Sequence, residues 1–455
     1  MLKTSNDTIV ALTTPFGKSG VAVIRTSGEK ALTIAEKILK KKITQYKTAF
    51  FTKLYDIKNN EIIDEGIAIC FLAPKSFTGE NVFEFQGHGS PVLIERIINA
   101  IIQQGARLAT AGEFSKRAFL NSKIDLTQAE AIADLINADN IMVAKSAIKS
   151  LQGEFSQQIT IIRNKLLKLR IYVESQLDFS TEEIDVLNFD KIQTQIINII
   201  SMLDKILCTT KQGVLLNEGI KVVIAGNPNV GKSSLINKLT NENLAIVTAI
   251  SGTTRDVLKT SINIDGLPIH IIDTAGLRDT TDIIEKIGIK KSLKIIKQAD
   301  IILFVIDADK CQNKTTIITA LQNFKNLINN HNTKILILRN KIDLLTNKTN
   351  IYKLENYSCI DISVEKNIGI ELLKQKLKTL VGFNNQEAVF IARKRHLIAI
   401  KKTKKYLQEA LLNLMILELL AEDLRLSDNS LGEITGVITS DQFLGEIFSS
   451  FCIGK

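Results

Sequence analysis

The chain of 455 residues has no tryptophan and six tyrosines, and its five cysteines stand far apart. Without indoles and with few phenols, stacking of bases on aromatic faces forms no part of the expectation. Cys70, Cys208, Cys311, Cys359 and Cys452 include no C-x-x-C pair, which argues against a zinc site and against a disulfide framework and leaves reduced thiols. No apolar run of about eighteen residues occurs. The opening Met1-Leu2-Lys3-Thr4-Ser5-Asn6-Asp7 is polar, so neither a membrane span nor a secretion signal is expected, and the cytoplasm is the expected compartment.

What is present is a Lys/Ile/Asn-rich composition with 45% hydrophobic residues and a formal net charge of +10. That supports real cores, about three domains by length, and a surface compatible with a polyanion such as RNA, although the lysines are dispersed.

Four short segments carry the chemistry. Gly226-Asn227-Pro228-Asn229-Val230-Gly231-Lys232-Ser233 fits G-x-x-x-x-G-K-[ST] and follows the apolar run Ile220 to Ala225, the setting of a buried strand turning into a helix. Gly226 and Gly231 let successive N–H groups of the loop point at phosphates, and the helix starting near Lys232 adds its positive dipole end. Asn229, Val230, Gly231, Lys232, Ser233 and Ser234 are therefore expected around a nucleotide's phosphates, with Lys232 on the outer ones. Ser233 offers a hydroxyl to Mg²⁺, and Thr254, in Gly252-Thr253-Thr254, offers a second. Asp273 ends the apolar run Ile269 to Ile272, reaching the metal through water, and Thr274-Ala275-Gly276 follows with an N–H for the terminal phosphate.

Asn340-Lys341-Ile342-Asp343 selects the base. The Asp343 carboxylate accepts two N–H bonds from the guanine edge, a pair that adenine lacks, which disfavours ATP by a factor of roughly 10⁴. Lys341 lays its stem across the purine, and Ser363 is a weaker candidate for the last base contact.

Around these segments the pattern predicts strands at about 220–225, 257–264, 267–272, 300–307, 334–339 and 358–362. A two-residue hairpin at Asp265-Gly266 gives one antiparallel edge on an otherwise parallel, doubly wound sheet. Before it, residues 7 to 120 alternate β-rich runs (8–12, 21–25, 66–71) with a helix from Glu29 to Lys40, a small α+β domain. Apolar positions from Leu126 to Phe179 predict one long amphipathic helix, and a second helical block runs from Arg393 to Leu426. Either the two blocks form one discontinuous domain with the nucleotide segment inserted, or they are separate bundles.

Residues outside the nucleotide segment make a family resemblance specific: Asp7-Thr8-Ile9-Val10-Ala11, Ser76-Phe77-Thr78-Gly79-Glu80, Phe85-Gln86-Gly87-His88-Gly89, the stretch Gly112 to Asn121, and the terminal Phe451-Cys452-Ile453-Gly454-Lys455. Over essentially its whole length the chain resembles the MnmE (TrmE) family of tRNA-modification GTPases. The resemblance implies an N-terminal folate-binding and dimerisation domain (1–121), a discontinuous helical domain (122–216 and 383–455) and an inserted Ras-like G domain (217–382).

It also implies an activity: with the flavoprotein MnmG (GidA), which holds the FAD, members attach an aminomethyl-type group to carbon 5 of the wobble uridine of certain tRNAs. A 5-formyl- or methylene-tetrahydrofolate supplies the carbon. The residues matching the family's folate contacts are Arg25, Glu84, Lys123 and Lys455, with Cys452 beside them; His88, between glycines, reads as structural. Leu277 stands where Ras-type switches carry a water-orienting glutamine, and the family's glutamate for that role matches Glu285. In place of an arginine finger the family uses K⁺, which matches Asn229 with Thr248, Ile250 and Thr253 while two G domains pair transiently. Ala249-Ile250-Ser251 and Ser363-Val364-Glu365 are looser than the family's usual patterns. The alternative, an Era- or Der-type switch in ribosome assembly, requires an RNA-binding module, and no G-x-x-G loop in a suitable setting occurs outside the G segment.

Overall fold

The computed structural model describes residues 7–178, 188–242, 259–273, 296–328, 333–345, 349–384, 390–437, 441–449, 451–452 and 454. It divides into two compact units, Met1–Ile136 with Ser150–Leu203 and Ala399–Lys455, and Asn137–Lys149 with Asp204–Ile398.

The first unit opens with β1 (Thr8–Leu12), β2 (Ser19–Ser27), α1 (Ala31–Leu39), β3 (Phe50–Tyr55), β4 (Ile62–Phe71), β5 (Val82–Gly89), α2 (Pro91–Gln103), β6 (Ala106–Leu108) and α3 (Glu113–Leu120). The strands form one sheet in the order β3-β4-β5-β2-β1-β6, antiparallel except for the β1–β6 pair. Strand alternation turns Val10, Ile24, Phe83 and Phe85 onto one buried face, where Ile34, Ile38, Ile97 and Ile101 of α1 and α2 cover them. The other face presents Arg25 on β2 opposite Glu84 on β5.

Instead of the single helix expected from 126 to 179 there are three: α4 (Leu126–Ile136), α5 (Ile141–Leu151) and α6 (Glu154–Asp178). The hydrophobic period runs through both breaks, but local chemistry overrides it. Asn140 Oδ1 accepts the Val143 N–H and starts α5, and Gly153, at φ 88°, takes a left-handed turn between α5 and α6. A further helix, α7 (Phe189–Glu218), follows.

The second unit carries β7 (Ile220–Gly226), α8 (Lys232–Glu242), β8 (Lys259–Ile264), β9 (Leu267–Asp273), β10 (Ile301–Asp307), α9 (Lys314–Leu327), β11 (Lys334–Asn340), β12 (Ile351–Leu354), β13 (Tyr357–Asp361) and α10 (Ile370–Val381). The sheet order is β12-β13-β11-β10-β7-β9-β8. Strands β9, β7, β10, β11 and β13 are parallel, and every residue of β10 is buried, as befits a strand covered on both faces. The hairpin at Asp265-Gly266 is present, both residues having positive φ (50° and 92°). The sheet has a second antiparallel edge that corrects the expectation of one: β12 pairs with β13 through a two-residue turn at Glu355-Asn356. Glu355 takes φ 50° there, a conformation that glutamate seldom signals in sequence.

After α10 the chain forms α11 (Lys394–Leu412), α12 (Leu417–Thr435) and α13 (Asp441–Ser449). Within the first unit α6 lies against α12, where Arg163 Nε donates to Asp428 Oδ1 at 2.8 Å. Leu444, Phe448 and Phe451 pack on Leu126 and Ala129, which brings the end of the chain back to the start of the helical region. Among the described residues, no helix is long and apolar enough to cross a membrane.

Candidate nucleotide and ligand sites

The turn from β7 into α8 is built for a phosphate chain. Gly226 takes φ 148°, Asn229 63° and Gly231 93°. A Cβ on Gly226 would overlap the Val305 carbonyl oxygen, and one on Gly231 would overlap the Asn340 side-chain nitrogen, so both positions need glycine for space as well as for φ. Lys232 Nζ donates to the carbonyls of Gly226 (3.0 Å) and Asn227 (2.7 Å), which stretches the ammonium back over the loop. Ser233 and Ser234 are exposed on the first turn of α8, where helical N–H groups lack intrahelical partners.

The Asn340-Lys341-Ile342-Asp343 segment leaves the end of β11. Asn340 is 3% exposed; its Nδ2 donates to the Val230 carbonyl oxygen at 2.8 Å and its Oδ1 accepts the Val364 N–H at 3.1 Å. Lys341 adopts φ 68° and its ammonium meets Asp307 Oδ2 at 2.8 Å, so its stem is anchored at the tip. Burial pushes the Asp307 carboxyl up, but the Lys341 ammonium and the Asp309 N–H outweigh it and hold the group below its ordinary value. Asp343 lies half-buried in a 3-10 turn, Ile342–Leu344. Ser363 is fully buried, its hydroxyl accepting the Lys366 N–H at 3.1 Å within its own loop.

The structure thus brings Asn229, Val230, Gly231, Lys232, Ser233 and Ser234 together with Asn340, Lys341, Asp343 and Ser363 at the carboxyl ends of one sheet. Thr248, Ala249, Ile250, Ser251, Gly252, Thr253, Thr254, Thr274, Ala275, Gly276 and Glu285 lie outside the described residues. The backbone of Asp273 ends β9 beside Ile224 of β7.

On the N-terminal sheet Arg25 Nε donates to Glu84 Oε1 at 2.6 Å, and the guanidinium sits 5.4 Å from the Phe77 ring centre and 5.7 Å from that of Phe114. Lys123 donates from Nζ to the Pro74 carbonyl at 3.0 Å, and its stem passes Gly79. The chain end approaches the same domain. The Cys452 carbonyl accepts the Gly112 N–H at 3.3 Å, Gly454 (φ 96°) abuts Leu12, Cys452 is exposed, and Lys455 lies outside the described residues. His88 is pinned, its Nδ1 lying 2.8 Å from Asp64 Oδ1 while its N–H donates to Asp64 Oδ2 at 2.8 Å.

Sequence reasoning missed a buried charge network under this face. Arg117, 4% exposed, donates to Asp7 Oδ1 (2.7 Å), both Glu80 oxygens (3.1 Å) and Glu113 Oε1 (3.0 Å). Arg107 adds a fork onto Glu113 at 2.9 and 2.6 Å. Burial pushes the Glu113 carboxyl up, but the Arg107, Thr110 and Arg117 donors outweigh it and hold it at about 2. A signal was available: Asp7, Glu80, Glu113 and Arg117 all fall inside the short stretches that carry the family resemblance.

A doubly wound sheet with G-x-x-x-x-G-K-S at a strand–helix turn and N-K-x-D at the end of a neighbouring strand defines the class of P-loop guanine-nucleotide-binding folds. Residues 8–123 match the family model of the GTP-binding protein TrmE N-terminus, and residues 126–452 match that of the MnmE helical domain. The tRNA modification GTPase MnmE of Coxiella burnetii (strain Dugway 5J108-111) is 49% identical over 459 residues, covering 99% of both chains. Its counterpart in Legionella pneumophila (strain Paris) is 47% identical over 459 residues, covering 99% of this chain and 100% of its own. Among solved structures, the G domain of the T. maritima FeoB iron transporter is 26% identical, covers 35% of this chain and 98% of its own, and superposes with a TM-score of 0.26. The chain belongs to the MnmE family of tRNA modification GTPases.

Proposed function

We propose that the chain binds and hydrolyses GTP and that this cycle drives modification of tRNA. The observation that carries the nucleotide assignment is the Asn340 side chain, which ties the guanine-reading strand end to the phosphate loop at 2.8 Å. Nucleotide binding then has one built cradle: loop N–H groups and Lys232 for phosphates, Asp343 for the base. The hydroxyl of Ser233 suits a hard cation such as Mg²⁺, with Thr254 as the second hydroxyl; the ion neutralises phosphate charge when bound. Asn229, Thr248, Ile250 and Thr253 are assigned to K⁺, and Glu285 to orienting the attacking water.

The tRNA reaction is the finer part of the proposal. The N-terminal domain holds a tetrahydrofolate derivative, 5-formyl or methylene, on Arg25, Glu84, Lys123 and Lys455 near Cys452. The Arg25–Glu84 pair beside the exposed Phe77 ring supports that assignment, since it offers charge to a carboxylate tail and an aromatic face to a fused ring. The flavoprotein MnmG supplies FAD, and the product carries an aminomethyl-type group at carbon 5 of the wobble uridine. The active form is a cytoplasmic homodimer whose G domains pair transiently, divided as 1–121, 122–216, 217–382 and 383–455.

Calorimetry with GTP and ATP tests the first part: tight GTP binding with ATP weaker by roughly 10⁴ is expected, and equal affinities overturn it. Exchanging K⁺ for Na⁺ should slow hydrolysis, and equal rates remove Asn229 from its role. Titration with 5-formyltetrahydrofolate should saturate and weaken in Arg25→Ala; no binding at millimolar ligand removes the folate. Mass analysis of wobble uridines after gene deletion should show loss of the modification.

A further inference from the structure

Behind the base-reading residues lies an ion pair that nucleotide chemistry does not require. Arg339 Nε and Nη2 each donate to one oxygen of Asp361, at 2.8 and 2.9 Å, and the two side chains are 8% and 5% exposed. The Tyr352 hydroxyl donates to the same carboxylate at 3.2 Å, and Thr349 Oγ1 donates to the Asp361 carbonyl at 2.8 Å. Arg339 immediately precedes Asn340, and Asp361 stands two residues before Ser363. The register of β11 on β13 sets the two residues opposite each other. The backbone continues the connection: the Ile362 N–H donates to the Arg339 carbonyl at 2.9 Å, and the Ile342 N–H to the Ile362 carbonyl at 3.3 Å.

A pair of apolar side chains would hold two buried strands together as well as an ion pair does, because desolvating the charges offsets most of their attraction. What a bidentate fork adds is a fixed distance and angle. Here the fork clamps the ends of the two strands from which Asp343 and the Ser363-Val364 turn emerge.

We propose that the Arg339–Asp361 pair is a positioning element that sets guanine selectivity, by holding Asp343 where its carboxylate accepts both N–H groups of the base edge. This inference rests on the GTP assignment above.

The test compares GTP with inosine triphosphate, which has the same phosphates and ribose and lacks only the 2-amino group that Asp343 reads. Wild-type protein should prefer GTP. In the Arg339→Met/Asp361→Leu variant, which replaces the pair with apolar volume, the GTP-to-ITP affinity ratio should fall by about tenfold, with an intermediate fall in Arg339→Lys, which keeps the charge without the fork. Tyr352→Phe, which leaves the fork in place, should keep the ratio within about twofold. Circular dichroism identifies the folded variants, and Arg339→Lys carries the test if the double variant does not fold. A folded double variant or Arg339→Lys with the wild-type ratio overturns the positioning role while leaving GTP binding intact. A wild type without preference for GTP overturns both readings together.

Discussion

The carboxamide of Asn340 joins three loops at once, donating to the Val230 carbonyl at 2.8 Å and accepting the Val364 N–H at 3.1 Å from the end of β11. Truncation in Asn340→Ala leaves a buried carbonyl and a buried N–H without partners, at about 1–3 kcal/mol each. GDP affinity should fall by roughly 10- to 100-fold, with a clear drop in unfolding temperature. Calorimetric titration of the purified variant reads this, and unchanged GDP affinity would show that the base and phosphate loops are not coupled through this side chain.

Gly226 has neither the φ nor the space for a side chain, since a Cβ there meets the backbone of β10 rather than a side chain that can move. Gly226→Ala is therefore expected to abolish nucleotide binding and to lower the unfolding temperature of the nucleotide unit, because β7 and β10 must separate to admit the methyl. Fluorescent-GDP binding at wild-type strength would contradict this.

The buried network around Arg117 makes the first unit sensitive to acid. The folded-state value of Glu113, about 2, lies below its ordinary 4.5, so the group stabilises the fold above about pH 4.5 and that contribution is lost as pH falls toward 2. Glu113→Gln removes one partner of a buried charge set whose arginines keep Asp7 and Glu80, and should destabilise by about 1–3 kcal/mol at pH 7. The difference from wild type should shrink below pH 4.5. Denaturant titrations at pH 7 and pH 3 measure it; a difference that stays constant would refute the assignment.

The thiols divide by burial. Burial, aided by Glu36, pushes the Cys70 thiol up to about 12, and burial pushes that of Cys359 up to about 11, whereas Cys208 and Cys452 are exposed. Iodoacetamide at pH 8 on the folded protein should label Cys208 and Cys452 and spare Cys70 and Cys359, as read by peptide mass spectrometry. Rapid labelling of Cys70 would mean that the sheet of the first unit opens.

The strand–loop–helix junction of the proposed nucleotide site was legible in the chain because its constraints are local. A glycine at 226 and at 231, a lysine at 232 and a hydroxyl at 233 lie within one turn, and only a strand–loop–helix junction uses them in that spacing. The parallel strands were legible for the same reason, as apolar runs buried on both faces. The helical region was harder to read. Its apolar period continued from 126 to 179, while the breaks were decided by Asn140 and Gly153, single residues whose effect depends on the turn each one caps or reverses. Strand β12 was missed because a four-residue edge strand closed by Glu355-Asn356 has neither the length nor the turn signal to stand out.

Sequence alone determined the chemistry proposed for the chain, because cradling phosphates and reading guanine depend on residue types at short, fixed spacings. The tertiary structure decided what supports that chemistry: Asn340 on Val230, Arg339 on Asp361, and Arg117 among Asp7, Glu80 and Glu113. Apart from Glu113, one helical turn from Arg117, these partners are 22 to 110 residues apart along the chain, and only strand register and burial select them from the many charged and polar groups that could have met.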